Sequence, residues 1–167
     1  MSMRHYVVMG VSGCGKTSVG QGLAAAIGAN FVDADDLHPP ANVAKMARGE
    51  PLDDEDRAPW LTAVAARVKA GNASVVMGCS ALKRVYRDTI RNGAGSPVMF
   101  LHLAGSRELI ASRMSAREGH FMPLSLLDSQ FAALEPPAAD ELALTVDIDR
   151  SEDEIVAWIA AQIGAAS

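Results

Sequence analysis

The chain has 167 residues, of which 49% are hydrophobic and 21% charged, as is usual for one globular domain with a substantial core. A net charge of −5 and the lack of a Lys/Arg run argue against a nucleic-acid surface. No apolar stretch approaches the roughly 18 residues of a membrane span, and the first apolar run is too short for a signal peptide. The two cysteines, Cys14 and Cys79, do not form a disulfide-rich pattern, so we expect a reducing cytoplasm rather than a structural bridge.

Strand-like apolar runs alternate with helical patterns along the chain. The first strand is predicted at His5–Met9 and is followed by a helix over Ser18–Ile27. Further strands are predicted at 30–33, 74–78, 98–103 and 142–146. Helices are predicted near 40–48, 54–70, 82–92, 106–117, 124–134 and, from a capping box of Ser151 and Glu154, from 151 to about 164. This alternation predicts a single α/β domain with a parallel sheet, whose ligands bind beyond the carboxyl ends of the strands.

The segment Gly10–Thr17 fits the pattern Gly-x-x-x-x-Gly-Lys-[Ser/Thr] of a phosphate-binding loop. It lies between a predicted strand and a predicted helix, which is the context that this motif requires. The glycines let successive backbone N–H groups face phosphate oxygens, and the helix N-terminus adds partial positive charge. We therefore expect Lys16 to reach the β- and γ-phosphates of a nucleotide and the Thr17 hydroxyl to ligate Mg²⁺.

Carboxylates follow the second predicted strand at Asp33, Asp35 and Asp36. Acidic groups beside a triphosphate repel it unless they serve its chemistry. Holding Mg²⁺ through water suits Asp33, and accepting a proton from an attacking hydroxyl suits Asp35. An acidic turn that caps the next helix is the alternative, and Asp36 fits that role. His38 is held beside two prolines, and a structural role and a bond to a substrate hydroxyl are equally compatible with its position.

Basic residues follow the second and third strands. Arg57 stands among acids at a predicted helix start, where a surface salt bridge is the simpler reading and a grip on a substrate carboxylate the functional one. Lys83 and Arg87 are four residues apart on a predicted helix, which indicates either an anion site or a solvated basic face. Ser80 is a candidate helix cap.

A lid is predicted after the fourth strand and its helix. Arg113 and Arg117 end that helix, and a loop with Gly119 and Pro123 follows. Arginines that close over a triphosphate would offset developing charge and exclude water. The alternative is a helix C-terminus that carries cations because of its dipole.

Together these segments resemble the gluconate kinase (gluconokinase) family of small P-loop kinases over nearly the whole chain. The most specific segments are Asp56-Arg57-x-Pro59-Trp60 and Cys79-Ser80-Ala81-Leu82-Lys83, whereas the phosphate loop is shared by many families. The other matching segments are 33–39, 42–53, 86–88, 117–121 and 130–135.

The resemblance implies a three-layer α/β/α P-loop NTPase fold with a five-stranded, mostly parallel sheet and a lid at about 117–125, similar to nucleoside-monophosphate and shikimate kinases. It implies transfer of the ATP γ-phosphoryl group to the 6-hydroxyl of D-gluconate, with Mg²⁺, in a protein that is commonly a homodimer. Catalysis is then assigned to Lys16, Asp35 and Arg117, and the metal to Thr17 and Asp33. ATP binding is assigned to Gly10, Val11, Ser12, Gly13, Cys14, Gly15, Lys16, Thr17, Ser18 and Arg113. Gluconate binding is assigned to Asp35, His38, Arg57, Ser80, Lys83, Arg87, His120 and Gln130.

Two other functions compete with this one. A kinase of the same fold with another acceptor, such as shikimate or a nucleoside monophosphate, suits the Arg/Lys set equally well on chemical grounds. A nucleotide-dependent switch without kinase activity is disfavoured because the chain has no Asn-Lys-x-Asp segment for reading guanine.

Overall fold

The computed structural model describes residues 4–71, 73–115 and 124–165. Within these ranges the strands are β1 His5–Met9, β2 Asn30–Asp33, β3 Val75–Gly78, β4 Val98–Ala104 and β5 Ala143–Asp147. The α-helices are α1 Lys16–Ile27, α2 Pro40–Ala47, α3 Asp54–Ala70, α4 Arg84–Ala94, α5 Arg107–Ser115, α6 Leu124–Ala133 and α7 Glu152–Ala165. The predicted strands and helices are therefore confirmed to within a few residues at each described end.

The strands form one parallel sheet in the order β2-β3-β1-β4-β5. The central strand β1 is buried on both faces, because parallel strands joined through helices are covered on each side. Its residues alternate between two cores: Val8 packs with α1 and α7, and Val7 packs with α3 and α4. The α/β prediction is confirmed, and β1 and β3 end beside each other where the phosphate loop begins.

Two local features differ from the prediction. A short 3₁₀ helix over Ala34–Leu37 follows β2, and the Asp33 side chain caps it by accepting the Asp35 N–H at 2.9 Å. Helix α4 begins at Arg84 rather than near 82, so Ser80 does not cap it. The delay has a backbone cause: Ala81 has φ 44°, a left-handed conformation that a helix cannot include.

Two further predictions concern the thiols and the lid. Cys14 and Cys79 are free and buried, and burial raises the pKa of the Cys79 thiol to about 12, so it is not a nucleophile at neutral pH. The proposed lid at about 117–125 lies outside the described residues, except that its last two positions belong to α6. None of the helices in the described ranges is long and apolar enough to cross a membrane.

Candidate active site

The phosphate loop leaves the carboxyl end of β1 and curls back into α1. Gly13 has φ 84°, and a Cβ there would lie 2.5 Å from Met114 Cγ, so both the turn and the packing against α5 require glycine. The Gly10 N–H donates to the Ser80 carbonyl at 3.2 Å, which ties the loop to the segment after β3. Because β1 and β3 are adjacent strands, this bond joins two loops at the same sheet edge.

The N-terminus of helix α1 has the features of an anion-binding site. Its N-cap is Gly15, which offers no capping side chain, and its first turn contains no acidic residue. The N-terminal N–H groups and the positive end of the dipole are therefore left for phosphate oxygens. The Lys16 ammonium donates to the carbonyls of Gly10 at 3.0 Å and Val11 at 3.1 Å, which holds it over the loop.

The acidic side of the cleft is the end of β2. Asp33 and Asp35 both line the cleft that contains Lys16 and Thr17. Asp35 remains open to solvent, with 78% of its side chain exposed. The surrounding protein and the neighbouring Asp33 charge nevertheless raise its pKa, while Lys16 opposes that shift. A carboxylate with a raised pKa and an open face is suited to accept a proton from a hydroxyl.

His38 is fixed beside Asp35. Its ring stacks on Trp60 at 4.2 Å with an angle of 15°, and its side chain is only 3% exposed. The Asn42 amide contacts Nδ1 at 3.2 Å, and because that amide nitrogen can only donate, Nδ1 accepts and the proton lies on Nε2. Nε2 lies 3.9 Å from Asp35 Oδ1. Burial and the Arg57 charge lower the pKa of His38, so the neutral ring presents one N–H at the cleft.

A basic cluster forms the opposite wall. Arg57 Nη1 donates to the Leu52 carbonyl at 2.6 Å and to the Tyr86 hydroxyl at 3.2 Å. Lys83 Nζ donates to Asp54 Oδ1 at 3.3 Å, and the Tyr86 hydroxyl donates to the same oxygen. The surface salt bridge predicted for Arg57 is therefore not confirmed, and neither is a solvated position for Lys83. Both side chains line the cleft.

Arg87 was predicted to bind substrate, and the structure places it elsewhere. Its side chain is fully buried and pairs with Glu141, whose side chain is 1% exposed, at 2.8 Å. It also donates to the carbonyls of Ala81 at 2.9 Å and Leu82 at 3.2 Å. It does not line the cleft: Lys83 precedes α4 in an extended conformation, whereas Arg87 lies within the helix and its side chain is directed to the core. Arg87 therefore holds the left-handed backbone that leads to Lys83.

The Arg87–Glu141 pair yields a stability prediction. Glu141→Gln should lower the free energy of unfolding by about 3–5 kcal/mol, because it leaves a buried guanidinium without its charge partner. Asp140→Asn is the matched control: it breaks the exposed Arg84–Asp140 pair, which solvent screens, and should lower the free energy of unfolding far less. Urea unfolding of both variants measures the difference, and equal losses would contradict the burial argument.

The same pair predicts an acid-sensitive fold. Arg87 lowers the pKa of Glu141 to about 2 from its ordinary 4.5. A carboxyl with a lowered pKa contributes stability that is complete above pH 4.5 and is lost as the pH falls towards 2. The Glu141→Gln variant should lose that part of the acid dependence.

Gln130 of α6 reaches the phosphate loop. Its side-chain oxygen accepts the Ser12 N–H at 2.6 Å, and its amide nitrogen donates to Ser12 Oγ at 3.0 Å. Gln130 and Ser12 both line the cleft. The helix that follows the proposed lid is thereby joined to the loop that would hold the phosphates.

One cleft of about 840 Å³ contains half of the predicted site residues. It is lined by ten of the predicted residues, namely Ser12, Lys16, Thr17, Asp33, Asp35, His38, Arg57, Ser80, Lys83 and Gln130. Arg113 lies apart from it and donates to the carbonyls of Ile148 at 2.6 Å and Arg150 at 3.4 Å. Arg117 and His120 lie outside the described residues. No site role is predicted from the sequence for Tyr86 or Asp54. The Asp54–Arg57 and Lys83–Tyr86 spacings, each about one helical turn, are the signal that indicates them.

The residues present fit a magnesium ion bound mainly by nucleotide oxygens. Thr17 and Asp33 line the same cleft, and one Asp33 oxygen caps the 3₁₀ helix. No group of three or more His, Cys, Asp or Glu side chains in the described part of the chain is arranged to hold a metal ion. Mg²⁺ in kinases uses few protein ligands together with phosphates and water, which agrees with this donor set.

The parallel sheet, the phosphate loop and the acidic and basic walls of one cleft define a small P-loop kinase fold. The family model described as an AAA domain matches residues 6–137. The shikimate kinase of Aquifex aeolicus shares the fold, with a TM-score of 0.63 at 14% identity over 98% of each chain.

Closer relatives identify the family. The gluconokinase of Gluconobacter oxydans is 50% identical, covering 92% of this chain and 87% of its own. The thermosensitive gluconokinase of Escherichia coli is 47% identical over 92% of this chain and 82% of its own. A solved gluconokinase structure from Sinorhizobium meliloti has a TM-score of 0.86 at 45% identity and covers 98% of this chain and 97% of its own. The chain belongs to the gluconokinase family.

Proposed function

We propose that this protein phosphorylates the 6-hydroxyl of D-gluconate with ATP and releases 6-phospho-D-gluconate and ADP. The observation that carries the proposal is one cleft in which the phosphate loop, the acidic end of β2 and the Arg57–Lys83 wall face a shared space. A polyol with a carboxylate at one end needs this combination: an anion site, hydrogen-bonding groups and a base near the phosphates. The resemblance to curated gluconokinases over most of the chain supports the choice of substrate.

The phosphate loop binds the nucleotide. The free N–H groups at the start of α1 and the Lys16 ammonium receive the β- and γ-phosphate oxygens, which requires Lys16 to leave the carbonyls of Gly10 and Val11. Thr17, and Asp33 through water, would hold Mg²⁺, which would supply positive charge to the same phosphates. The residues proposed to bind ATP are the whole segment Gly10–Ser18 and Arg113. Arg113 donates to carbonyls of the loop after β5.

Asp35 orients the acceptor hydroxyl and takes its proton during transfer. The oxygen of that hydroxyl attacks the γ-phosphorus, the bond to the β-phosphate oxygen breaks, and the proton passes to the Asp35 carboxylate. Phosphoryl transfer requires mainly positioning and charge stabilisation from the protein. The fixed His38 ring beside Asp35 suits this requirement, and its Nε2–H is placed to donate to a substrate oxygen.

The remaining contacts divide between the two ends of the sugar acid. Arg57 and Lys83 receive its carboxylate, and Ser80, Gln130 and His120 bind hydroxyls. Arg117 closes over the transferring phosphoryl group with the lid. Arg87, proposed from the sequence as a substrate contact, is withdrawn because its guanidinium is buried against Glu141.

An acceptor panel tests the substrate. ATP-dependent ADP release is measured with D-gluconate, shikimate and nucleoside monophosphates in parallel, and nucleotide binding is measured separately. We expect strong turnover with gluconate alone. Turnover with another acceptor would keep the fold and mechanism but overturn the substrate, and ATP binding without turnover on any acceptor would favour a nucleotide switch.

Three further properties belong to this proposal. Mg²⁺ dependence is supported by the position of Thr17 and Asp33, and activity should be lost in excess EDTA and restored by added Mg²⁺. Homodimer formation rests on the family resemblance, and a cytoplasmic location rests on the cysteine pattern, with which the two free, buried cysteines are consistent. Light scattering of the purified chain measures the oligomeric state.

A further inference from the structure

The basic wall of the cleft already holds a carboxylate, and that carboxylate belongs to the protein. Asp54 is the first residue of α3, and its Oδ1 accepts hydrogen bonds from both Lys83 Nζ and the Tyr86 hydroxyl. Both cations also lie near the Tyr86 ring, with the Arg57 guanidinium carbon 5.2 Å and Lys83 Nζ 5.6 Å from its centroid. Lys83 and the Tyr86 phenol thus converge on one carboxylate oxygen, and Arg57 donates to the same phenol oxygen.

The donors of this cluster are more firmly held than the acceptor. Tyr86 is 4% exposed and packs in the core beneath α3 and α4, whereas the Asp54 side chain is 65% exposed. Burial and the Asp54 charge raise the pKa of Tyr86, so its hydroxyl stays protonated and remains a donor. An exposed carboxylate of this kind contributes little to stability, so a competing anion can replace it at small cost.

The cluster carries more positive charge than Asp54 neutralises. Arg57 and Lys83 carry two positive charges against the single negative charge of Asp54. Arg57 uses only Nη1 in hydrogen bonds to the described part of the chain, which leaves Nε and Nη2, one edge of the planar fork, without a partner there. That edge matches the two oxygens of a carboxylate.

We propose that Tyr86 is a specificity-determining residue that binds the substrate carboxylate together with Lys83 and Arg57, and that Asp54 occupies this position until the substrate displaces it. The inference rests on the proposed function, since it assigns the carboxylate end of the sugar acid to a defined subsite. This displacement explains why a cleft lined by acidic residues accepts an anionic substrate. The substrate carboxylate takes the place of Asp54 beside the two cations, so the negative charge there does not increase.

Binding of D-gluconate and of D-glucitol, which has a hydroxymethyl group in place of the carboxylate, tests the subsite by calorimetry on the full chain. Tyr86→Phe keeps the packed ring and should weaken gluconate binding roughly tenfold, because it removes one hydrogen bond to a charged group, with glucitol binding unchanged. Asp54→Ala should strengthen gluconate binding roughly two- to fivefold. Glu55→Ala, which removes a neighbouring carboxylate of the same cleft, should leave it unchanged.

Coupling between the two sites completes the test. In the Tyr86→Phe background the gain from Asp54→Ala should shrink, because the two residues contact each other. Unchanged gluconate affinity in Tyr86→Phe, or weaker gluconate binding in Asp54→Ala, would overturn the subsite while leaving the kinase function intact. Failure of the unmodified protein to bind or phosphorylate gluconate would overturn both.

Discussion

Lys16→Ala is expected to lower kcat/KM at least 10²–10³-fold, because it removes a positioned cation from the phosphates on which charge develops in the transition state. The loss should exceed any loss of stability, since the hydrogen bonds of Lys16 to the described part of the chain go to two loop carbonyls. Steady-state kinetics with ATP and gluconate measures the first effect and thermal unfolding the second.

Lys69 provides the matched control for Lys16. It is exposed near the C-terminal end of α3 and does not line the cleft, so Lys69→Ala should retain full activity. A Lys16→Ala protein as active as the Lys69→Ala protein would remove the phosphate loop from the mechanism.

Asp35→Asn should reduce kcat by about 10²–10⁴-fold while ATP binding remains, because the amide cannot accept the proton of the attacking hydroxyl. Asp36→Asn changes the adjacent carboxylate of the same 3₁₀ helix, which does not line the cleft, and should be nearly silent. If Asp35→Asn instead weakened ATP binding and kept turnover at saturating ATP, Asp35 would belong to the metal side of the site.

The raised pKa of Asp35 gives this prediction a pH signature. A base with a raised pKa becomes protonated at a higher pH than an ordinary carboxyl, so kcat should fall as the pH drops through that raised value. The same raised pKa changes the free energy of unfolding in the opposite direction: kcat rises with pH, whereas stability falls. The folded state takes up the proton more readily than the unfolded state, so the charged form destabilises the fold above the raised pKa. Asp35→Asn should therefore be no less stable than the parent at neutral pH, although its kcat is reduced.

The strands and the phosphate loop were predictable because their signals are local. A buried parallel strand is a short apolar run, and the loop motif specifies its own backbone through glycines and its flanking strand and helix. The Ser151–Glu154 capping box is equally local, and its two hydrogen bonds form at 3.1 and 3.3 Å. Because ligands of a parallel sheet bind beyond the carboxyl ends of its strands, Lys16 and Asp35 could then be predicted to lie at the same edge of the sheet.

Arg87 shows where local reasoning fails. Its spacing from Lys83 suggested one basic face, but Lys83 precedes the helix, and the acid that pairs with Arg87 is 54 residues away. Gln130 and Ser12, separated by 118 residues, could be named as site residues from the family resemblance, yet no pattern in the sequence predicts their mutual hydrogen bonds. Long-range pairing of buried polar groups depends on packing, which a spacing rule cannot supply.

The central claim is that the γ-phosphoryl group of ATP passes to the C6 oxygen of D-gluconate. Phosphorus NMR of a reaction containing the protein, ATP, Mg²⁺ and D-gluconate tests it most directly. We expect a phosphomonoester signal coupled to the two C6 protons, in equal amount to the ADP formed. Inorganic phosphate in place of the ester, or an ester at another carbon, would contradict it.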